Sequence, residues 1–194
     1  MSAVTIGVLA LQGAFARHID ACERLGVRTR EVRVAADLAA VDALILPGGE
    51  STTMSNLLRS QGLFDPIAAR VKADMAVFGT CAGMILLAAE VRDGRPDQQC
   101  FAAIDIAVRR NGYGRQVDSF ETDLTIEGLV GGPVHALFIR APRVDRVGAQ
   151  VDVLARVGDD PVVCRSGRVL VTAFHPELTD DLRLHELFVS LTGV

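Results

Sequence analysis

The sequence predicts an α/β protein: a three-layer, doubly wound, mostly parallel sheet, with extra antiparallel strands in the second half. Three observations carry that expectation. Short, nearly continuous apolar runs recur through the first half, as strands covered on both faces require. Segments with apolar residues at helical spacing separate them, which is the pattern of a parallel sheet with crossover helices. Beyond residue 100 this gives way to short strand-like runs divided by glycine-containing turns.

Taken in order, residues 4–10 form an apolar run broken only by Thr5 and Gly7 and read as a buried strand. Residues 14–25 carry Phe15, Ile19 and Cys22 on one helical face, with Gly26 as a stop. Residues 27–34 alternate valine with polar residues, which suits a strand near an edge. Residues 43–46 form a short strand ended by Pro47-Gly48-Gly49. Helices are predicted over 52–59 and 64–73, a strand over 75–79 and a helix over 82–90. In the second half, strands are predicted over 103–108, 117–126, 134–139, 151–157, 162–165 and 168–174, adding antiparallel or mixed strands to the sheet. A helix over 180–191 closes the pattern with Leu184, Leu187, Phe188 and Leu191 on one face.

A chain of 194 residues predicts one domain, 1–194, at roughly 150 residues per domain. Repeats, low-complexity tracts and long linkers are absent from it. The formal net charge is -4 and no basic run exceeds two residues, Arg109 and Arg110, so nothing points to nucleic acid. The longest uncharged apolar stretch, 75–89, is short of the roughly 20 residues of a membrane span and is interrupted by Gly79, Thr80 and Gly83. The first basic residue, Arg17, follows the apolar N-terminal stretch, unlike a secretory signal. A cytoplasmic location is therefore expected. The four cysteines, Cys22, Cys81, Cys100 and Cys164, contain no C-x-x-C pair and read as free thiols.

Three loops carry chemistry. Gly79-Thr80-Cys81-Ala82-Gly83 lies between a predicted strand and a predicted helix. Such a sharp turn needs glycine on both sides of a nucleophile, and it sets the thiol at a helix start where the Ala82 N–H can hold an oxyanion. The alternative is a structural cysteine between packing glycines. His175-Pro176-Glu177 offers a base with a carboxylate to orient it, or a plain polar turn. His18, His135 and His185 are weaker bases, His18 and His185 falling within predicted helices and His135 within a strand pattern. Pro47-Gly48-Gly49-Glu50-Ser51-Thr52 can turn backbone N–H groups toward an oxyanion, while Thr52 is expected to cap the next helix. The loop lacks the Walker phosphate signature, and no dinucleotide fingerprint follows the first strand. In a doubly wound sheet all three loops leave carboxyl ends of strands and meet at one crevice.

Together these features resemble the class I glutamine amidotransferase family. The blocks Leu9-Ala10-Leu11-Gln12-Gly13, Pro47-Gly48-Gly49-Glu50-Ser51-Thr52-Thr53, Gly79-Thr80-Cys81-Ala82-Gly83-Met84-Ile85-Leu86, Arg110-Asn111 with Gly114-Arg115-Gln116, Phe138-Ile139-Arg140-Ala141-Pro142 and His175-Pro176-Glu177-Leu178 resemble its branch of glutaminase subunits of pyridoxal 5'-phosphate synthase. They run in order along essentially the whole chain. The resemblance implies a flavodoxin-like amidotransferase fold and a catalytic triad of Cys81, His175 and Glu177. It implies oxyanion donors at Gly48, Gly49 and Ala82, and glutamine contacts at Gly49, Glu50, Ser51, Arg110, Ile139 and Arg140. It implies a partner contact at Gln12, and it leaves Cys22, Cys100 and Cys164 structural.

The implied activity is hydrolysis of L-glutamine to glutamate and ammonia with no metal or organic cofactor. The ammonia would pass to a synthase subunit, in an assembly with glutaminases docked on a dodecameric core, where docking orders the oxyanion loop. Two alternatives stay open: a class I glutaminase serving another synthase, and a non-catalytic protein keeping a Cys elbow. For Arg110 and Arg140 taken singly, a solvated strand-end charge is the simpler reading.

Overall fold

A computed structural model describes residues 4–110, 112 and 119–193. The apolar runs become β1 (Thr5–Leu9), β3 (Ala43–Leu46) and β4 (Ala76–Thr80), all buried except the first residue of β1. Helices cover both faces of these strands, so no position on them needs a polar residue. The alternating segment becomes β2 (Arg28–Val32), an edge strand that buries only Val32. Between the strands lie α1 (Phe15–Arg24), α2 (Ala35–Leu38), α3 (Ser51–Ser60) and α4 (Phe64–Lys72). The four-residue α2 was not foreseen, being too short to show a period.

After β4 come α5 (Ala82–Leu87), β5 (Ala88–Val91), β6 (Ile104–Arg109), β7 (Ser119–Leu124), β8 (Val134–Ile139), β9 (Arg143–Val147), β10 (Asp152–Val157), β11 (Asp160–Ser166), β12 (Val169–Thr172) and α6 (Arg183–Leu191). The main sheet has seven strands in the order β10-β11-β12-β4-β3-β1-β2. From β2 through β12 the neighbours are parallel, and β11 and β10 attach antiparallel.

Two expectations need correction. The helix expected over 82–90 ends at Leu87, because Ala88 turns to φ -63°, ψ 151° and β5 pairs with β6. Pairing with a distant strand overrides a helix-forming segment, a tertiary effect on local propensity. The second-half strands also do not all join the main sheet. Only β10, β11 and β12 do; β5, β6 and the unforeseen β9 make a separate three-stranded sheet, and β7 with β8 a two-stranded one. Of the strand expected over 117–126, residues 117 and 118 lie outside the described residues. The closing helix starts at Arg183, preceded by a short 3-10 turn, Pro176–Leu178.

The inner face of α1 buries His18, Ala21 and Cys22, while that of α6 buries Leu184, His185 and Phe188. Phe188 lies 5.5 Å from Phe78 of β4, centroid to centroid. Two of these buried side chains are histidines, set among aromatic and aliphatic neighbours. For the site, one feature of the sheet decides everything. β12, β4 and β3 are adjacent and parallel, with Thr172 beside Thr80 and Gly79 beside Leu46. Their following loops therefore leave the same sheet edge, side by side.

Candidate active site

Cys81 sits at the turn from β4 into α5 with φ 50° and ψ -103°. For a residue with a side chain this conformation costs on the order of 1–3 kcal/mol and persists only where surroundings enforce it. Here the Cys81 N–H donates to the Thr172 carbonyl at 2.8 Å, and its own carbonyl accepts from the Ile85 N–H at 3.3 Å. The flanking glycines allow the turn to close. A Cβ on Gly83 would lie 2.0 Å from the Leu46 carbonyl oxygen, and one on Gly79 would lie 2.6 Å from the Gly83 backbone. Ala82 opens the helix, so its N–H belongs to the first turn, where no intrahelical acceptor exists.

His175 follows β12, anchored by its N–H to the Leu137 carbonyl at 3.0 Å. Its Nδ1 donates to Oε1 of Glu177 at 2.8 Å. That leaves Nε2 for Cys81, which lines the same cleft close enough to raise the ring's pKa. Both members of the pair are buried, His175 9% and Glu177 4% exposed. Burial alone would lower the His175 pKa. The bonds and charges of Cys81 and Glu177 outweigh it and raise the value to about 10. For Glu177 burial acts upward, and the neighbouring His18 and His175 pull the carboxyl below its ordinary range. The ring reaches this place because residue 48 is glycine: a Cβ there would stand 2.3 Å from Cε1 of His175. Gly13 serves the same loop from the other side, at φ 85° with its Cα against the Gly48 carbonyl.

Glu50 is the true cap of α3, correcting the expectation for Thr52. Its carboxylate accepts from the N–H groups of Thr52 at 3.1 Å and Thr53 at 2.7 Å, and from the Thr53 hydroxyl. Thr52 lies inside the helix, where its hydroxyl accepts from Arg110 at 3.0 Å and donates to Gln98 at 3.3 Å. Arg110 also donates to Glu50 at 2.9 Å. Burial works upward on Glu50, yet these bonds and the Arg110 charge hold it at about 2. The Glu50 N–H donates to Oε1 of Gln12 at 3.2 Å, so Gln12 ties the 47–52 loop to the loop after β1.

These residues share a cleft of about 470 Å³. Gln12, Gly48, Gly49, Glu50, Ser51, Cys81, Arg110, Ile139, Arg140 and His175 all line it, with Ile85 and Leu178. Glu177 stands behind His175 and Ala82 behind Cys81. The Cys81 Sγ lies 3.9 Å from the Ile139 carbonyl oxygen, and Arg140 is held at φ 44° at the rim. The buried Ser51 hydroxyl has no partner within the described residues and adjoins the cleft. Asn111, Gly114, Arg115 and Gln116 fall outside the described residues.

The structure adds groups that pattern reading missed. Gln98 and Thr53 support the Arg110–Glu50 pair from positions with no motif of their own. His18 lies 3.5 Å from Oε2 of Glu177, although the two are far apart in sequence. His135, likewise passed over, bonds Asp123 and Glu121 across the β7–β8 hairpin and does not line the cleft. Burial pushes the Cys22 and Cys164 thiols up to about 12 and Cys100 up to about 11, so none is poised for reaction.

Comparison with known proteins gives the family and the fold. A crystal structure described as a glutamine amidotransferase superposes with a TM-score of 0.91 at 52% identity, covering 97% of this chain and 99% of that one. The structure of PurLQS from Thermotoga maritima shares the fold at a TM-score of 0.71 and 15% identity. A pyridoxal 5'-phosphate synthase subunit PdxT of Frankia alni is 56% identical over 191 residues, 98% of this chain and 96% of its own. The protein of that name from Thermus thermophilus is 54% identical over 190 residues, 97% and 98% of the two chains. The description of the SNO glutamine amidotransferase family matches residues 8–192. With the match running from the first strand through the last helix, the chain belongs to the SNO glutamine amidotransferase family.

Proposed function

We propose that the chain, as one domain over 1–194, is the glutaminase subunit of a pyridoxal 5'-phosphate synthase. One observation carries this reading: a strained cysteine and a histidine line one cleft, and a buried carboxylate behind the histidine holds it, with His175 bonded to Glu177 at 2.8 Å. The relatives' shared name supports the choice of synthase.

With His175 holding the proton at neutral pH, the Cys81 sulfur attacks the side-chain amide carbon of L-glutamine. A C–S bond forms, and the carbonyl oxygen becomes an oxyanion held by the Ala82 N–H and by the backbone at Gly48 and Gly49. The C–N bond then breaks as His175 returns the proton to the leaving nitrogen, releasing ammonia and leaving a γ-glutamyl thioester. Water, deprotonated by His175, attacks the thioester and glutamate leaves. Glu177 fixes the His175 tautomer throughout and stabilises its charged form. At the glutamine end, Glu50, Ser51 and the Arg110 guanidinium are charged or polar groups suited to an α-amino and α-carboxylate pair. Ile139 and Arg140 close the opposite wall.

Ammonia in bulk water takes a proton and ceases to be a nucleophile, so it is consumed next to where it is made. The synthase subunit docks over the cleft, where Ile139 and Leu178 stand 40% and 41% exposed and Gln12 grips the oxyanion loop. A dodecameric core carrying docked glutaminases in the cytoplasm completes this reading. The test is glutamate release from L-glutamine, with and without a purified pyridoxal 5'-phosphate synthase partner, with Cys81→Ala as the blank. Activity that rises with the partner supports the assignment. Equal activity in both conditions moves the chain to another synthase, and activity matching the blank ends the glutaminase reading.

A further inference from the structure

Glu177 uses one oxygen, Oε1, to hold His175. The other, Oε2, is buried with no partner in ordinary hydrogen-bond geometry among the described residues. A buried carboxylate oxygen is costly to leave without a donor. The side chain aimed at it is His18, fully buried on α1, with Nε2 at 3.5 Å. His18 is itself braced from two further elements. The Thr80 hydroxyl of β4, next to the nucleophile, stands 3.3 Å from the same Nε2, and Nε2 of His185 on α6 stands 2.9 Å from Nδ1. The edge of Phe78 closes the remaining side.

The proton positions follow from what each nitrogen faces. If His18 carried its proton on Nδ1, it would donate to His185 and point the Nε2 lone pair at a carboxylate. His185 would then have to carry its own proton on Nδ1, a buried nitrogen with no partner. With the proton of each ring on Nε2, both ring N–H groups have an acceptor. His185 donates to Nδ1 of His18, His18 donates to Oε2 of Glu177 with the Thr80 oxygen beside it as a second acceptor, and of the ring nitrogens only the His185 Nδ1 lone pair is left over. Burial keeps both rings neutral, lowering the His18 pKa and holding His185 at about 3.

We propose that His18 is a positioning residue: a neutral imidazole protonated on Nε2 that holds the free oxygen of Glu177 and thereby sets the His175 ring against Cys81. The bond is long in the free chain and shortens in the working complex, as active-site bonds do. The catalytic loop is thus tied to two helices, through His18 to α1 and through His185 to α6.

Three readouts test this, and only the first rests on the glutaminase reading. In the complex with the synthase subunit, His18→Leu lowers kcat for glutamine hydrolysis roughly 10-fold to 100-fold with KM within about twofold, the scale of a misplaced catalytic group. His18→Gln, which keeps an N–H near the Nε2 position, stays within about threefold of wild type. In the full chain without glutamine, the acid limb of Cys81 alkylation by iodoacetamide moves to higher pH in His18→Leu and not in His18→Gln. In the unmodified protein, long-range proton–nitrogen spectra show His18 neutral with its proton on Nε2. A His18 proton on Nδ1 overturns the proposal even if His18→Leu fails to fold. So does a folded His18→Leu with wild-type kcat and alkylation profile, or a His18→Gln that falls as far as His18→Leu. An inactive wild type with the expected alkylation and spectra would instead remove the glutaminase reading and leave the His18 bond standing.

Discussion

Replacing Gly48 with alanine inserts one methyl group between the oxyanion loop and the catalytic ring. The backbone at residue 48 lies outside the left-handed region, so alanine meets no conformational penalty there. The new Cβ would stand 2.3 Å from Cε1, 2.9 Å from Nδ1 and 3.3 Å from Nε2 of His175. Restoring an ordinary contact of 3.4 Å requires the ring to recede by about 1.1 Å. His175 borders the cleft, so the ring moves and the sheet behind it does not. That motion stretches the 2.8 Å bond to Glu177 and carries Nε2 away from Cys81. A displacement of about 1 Å costs on the order of 100-fold in rate, or about 2.7 kcal/mol in barrier. We expect Gly48→Ala to lower kcat by about that factor, with KM little changed and Tm within a few degrees of wild type. Steady-state glutamate release with saturating synthase partner, beside a thermal melt, measures both. A kcat within threefold of wild type at unchanged Tm would refute the reasoning, because the ring would then tolerate a group where it now packs.

Gly83→Ala acts on the fold instead. Its Cβ would lie 2.0 Å from the Leu46 carbonyl oxygen, a backbone atom that cannot swing away. A loss of about 3 kcal/mol and a fall in Tm of about 6–12 °C are expected by calorimetry, and a Tm within 2 °C of wild type would contradict this. Glu50→Gln removes the α3 cap and the Arg110 ion pair, raising KM for glutamine. Burial acts against the Glu50 carboxylate, but its bonds hold the pKa at about 2, below the ordinary 4.5. Its stabilisation is therefore present above pH 4.5 and lost as pH falls through about 2. Because the side chain is 44% exposed, the gap between the two proteins in urea melts should be about 1 kcal/mol or less, shrinking only in acid. His175 has the opposite sign: burial lowers its pKa, but Cys81 and Glu177 raise it from 6.5 to about 10. Its contribution is complete below pH 6.5 and lost as pH rises through about 10. Denaturant midpoints of wild type and His175→Gln should converge toward pH 10, and a gap that widens with pH would be inconsistent with this charge state.

Much of the site is readable locally because its parts are local. The Gly79–Gly83 elbow, the two-residue step from His175 to Glu177 and the glycines after β3 each act within a few positions. Apart from the four-residue α2, the order of strands and helices through β4 follows from apolar period alone. Legibility fails where a distant partner outbids local preference. Residues 88–91 leave the helix to pair with β6, and β9 (Arg143–Val147) carries too much charge to show a strand period. Capping at α3 went to Glu50 and not to Thr52, since a carboxylate accepts two N–H groups and the Arg110 guanidinium at once.

By itself, the sequence determined the three chemical loops, the residue types in them and the parallel sheet that brings their strand ends together. Only the tertiary structure decided what stands behind them. His18 reaches Glu177, Gly48 makes room for the His175 ring and Arg110 meets Glu50 across separations that no spacing rule covers. The physical reason is range. Turn geometry and helical period act between neighbours, whereas a buried carboxylate takes its donor from whichever element the sheet packs against it.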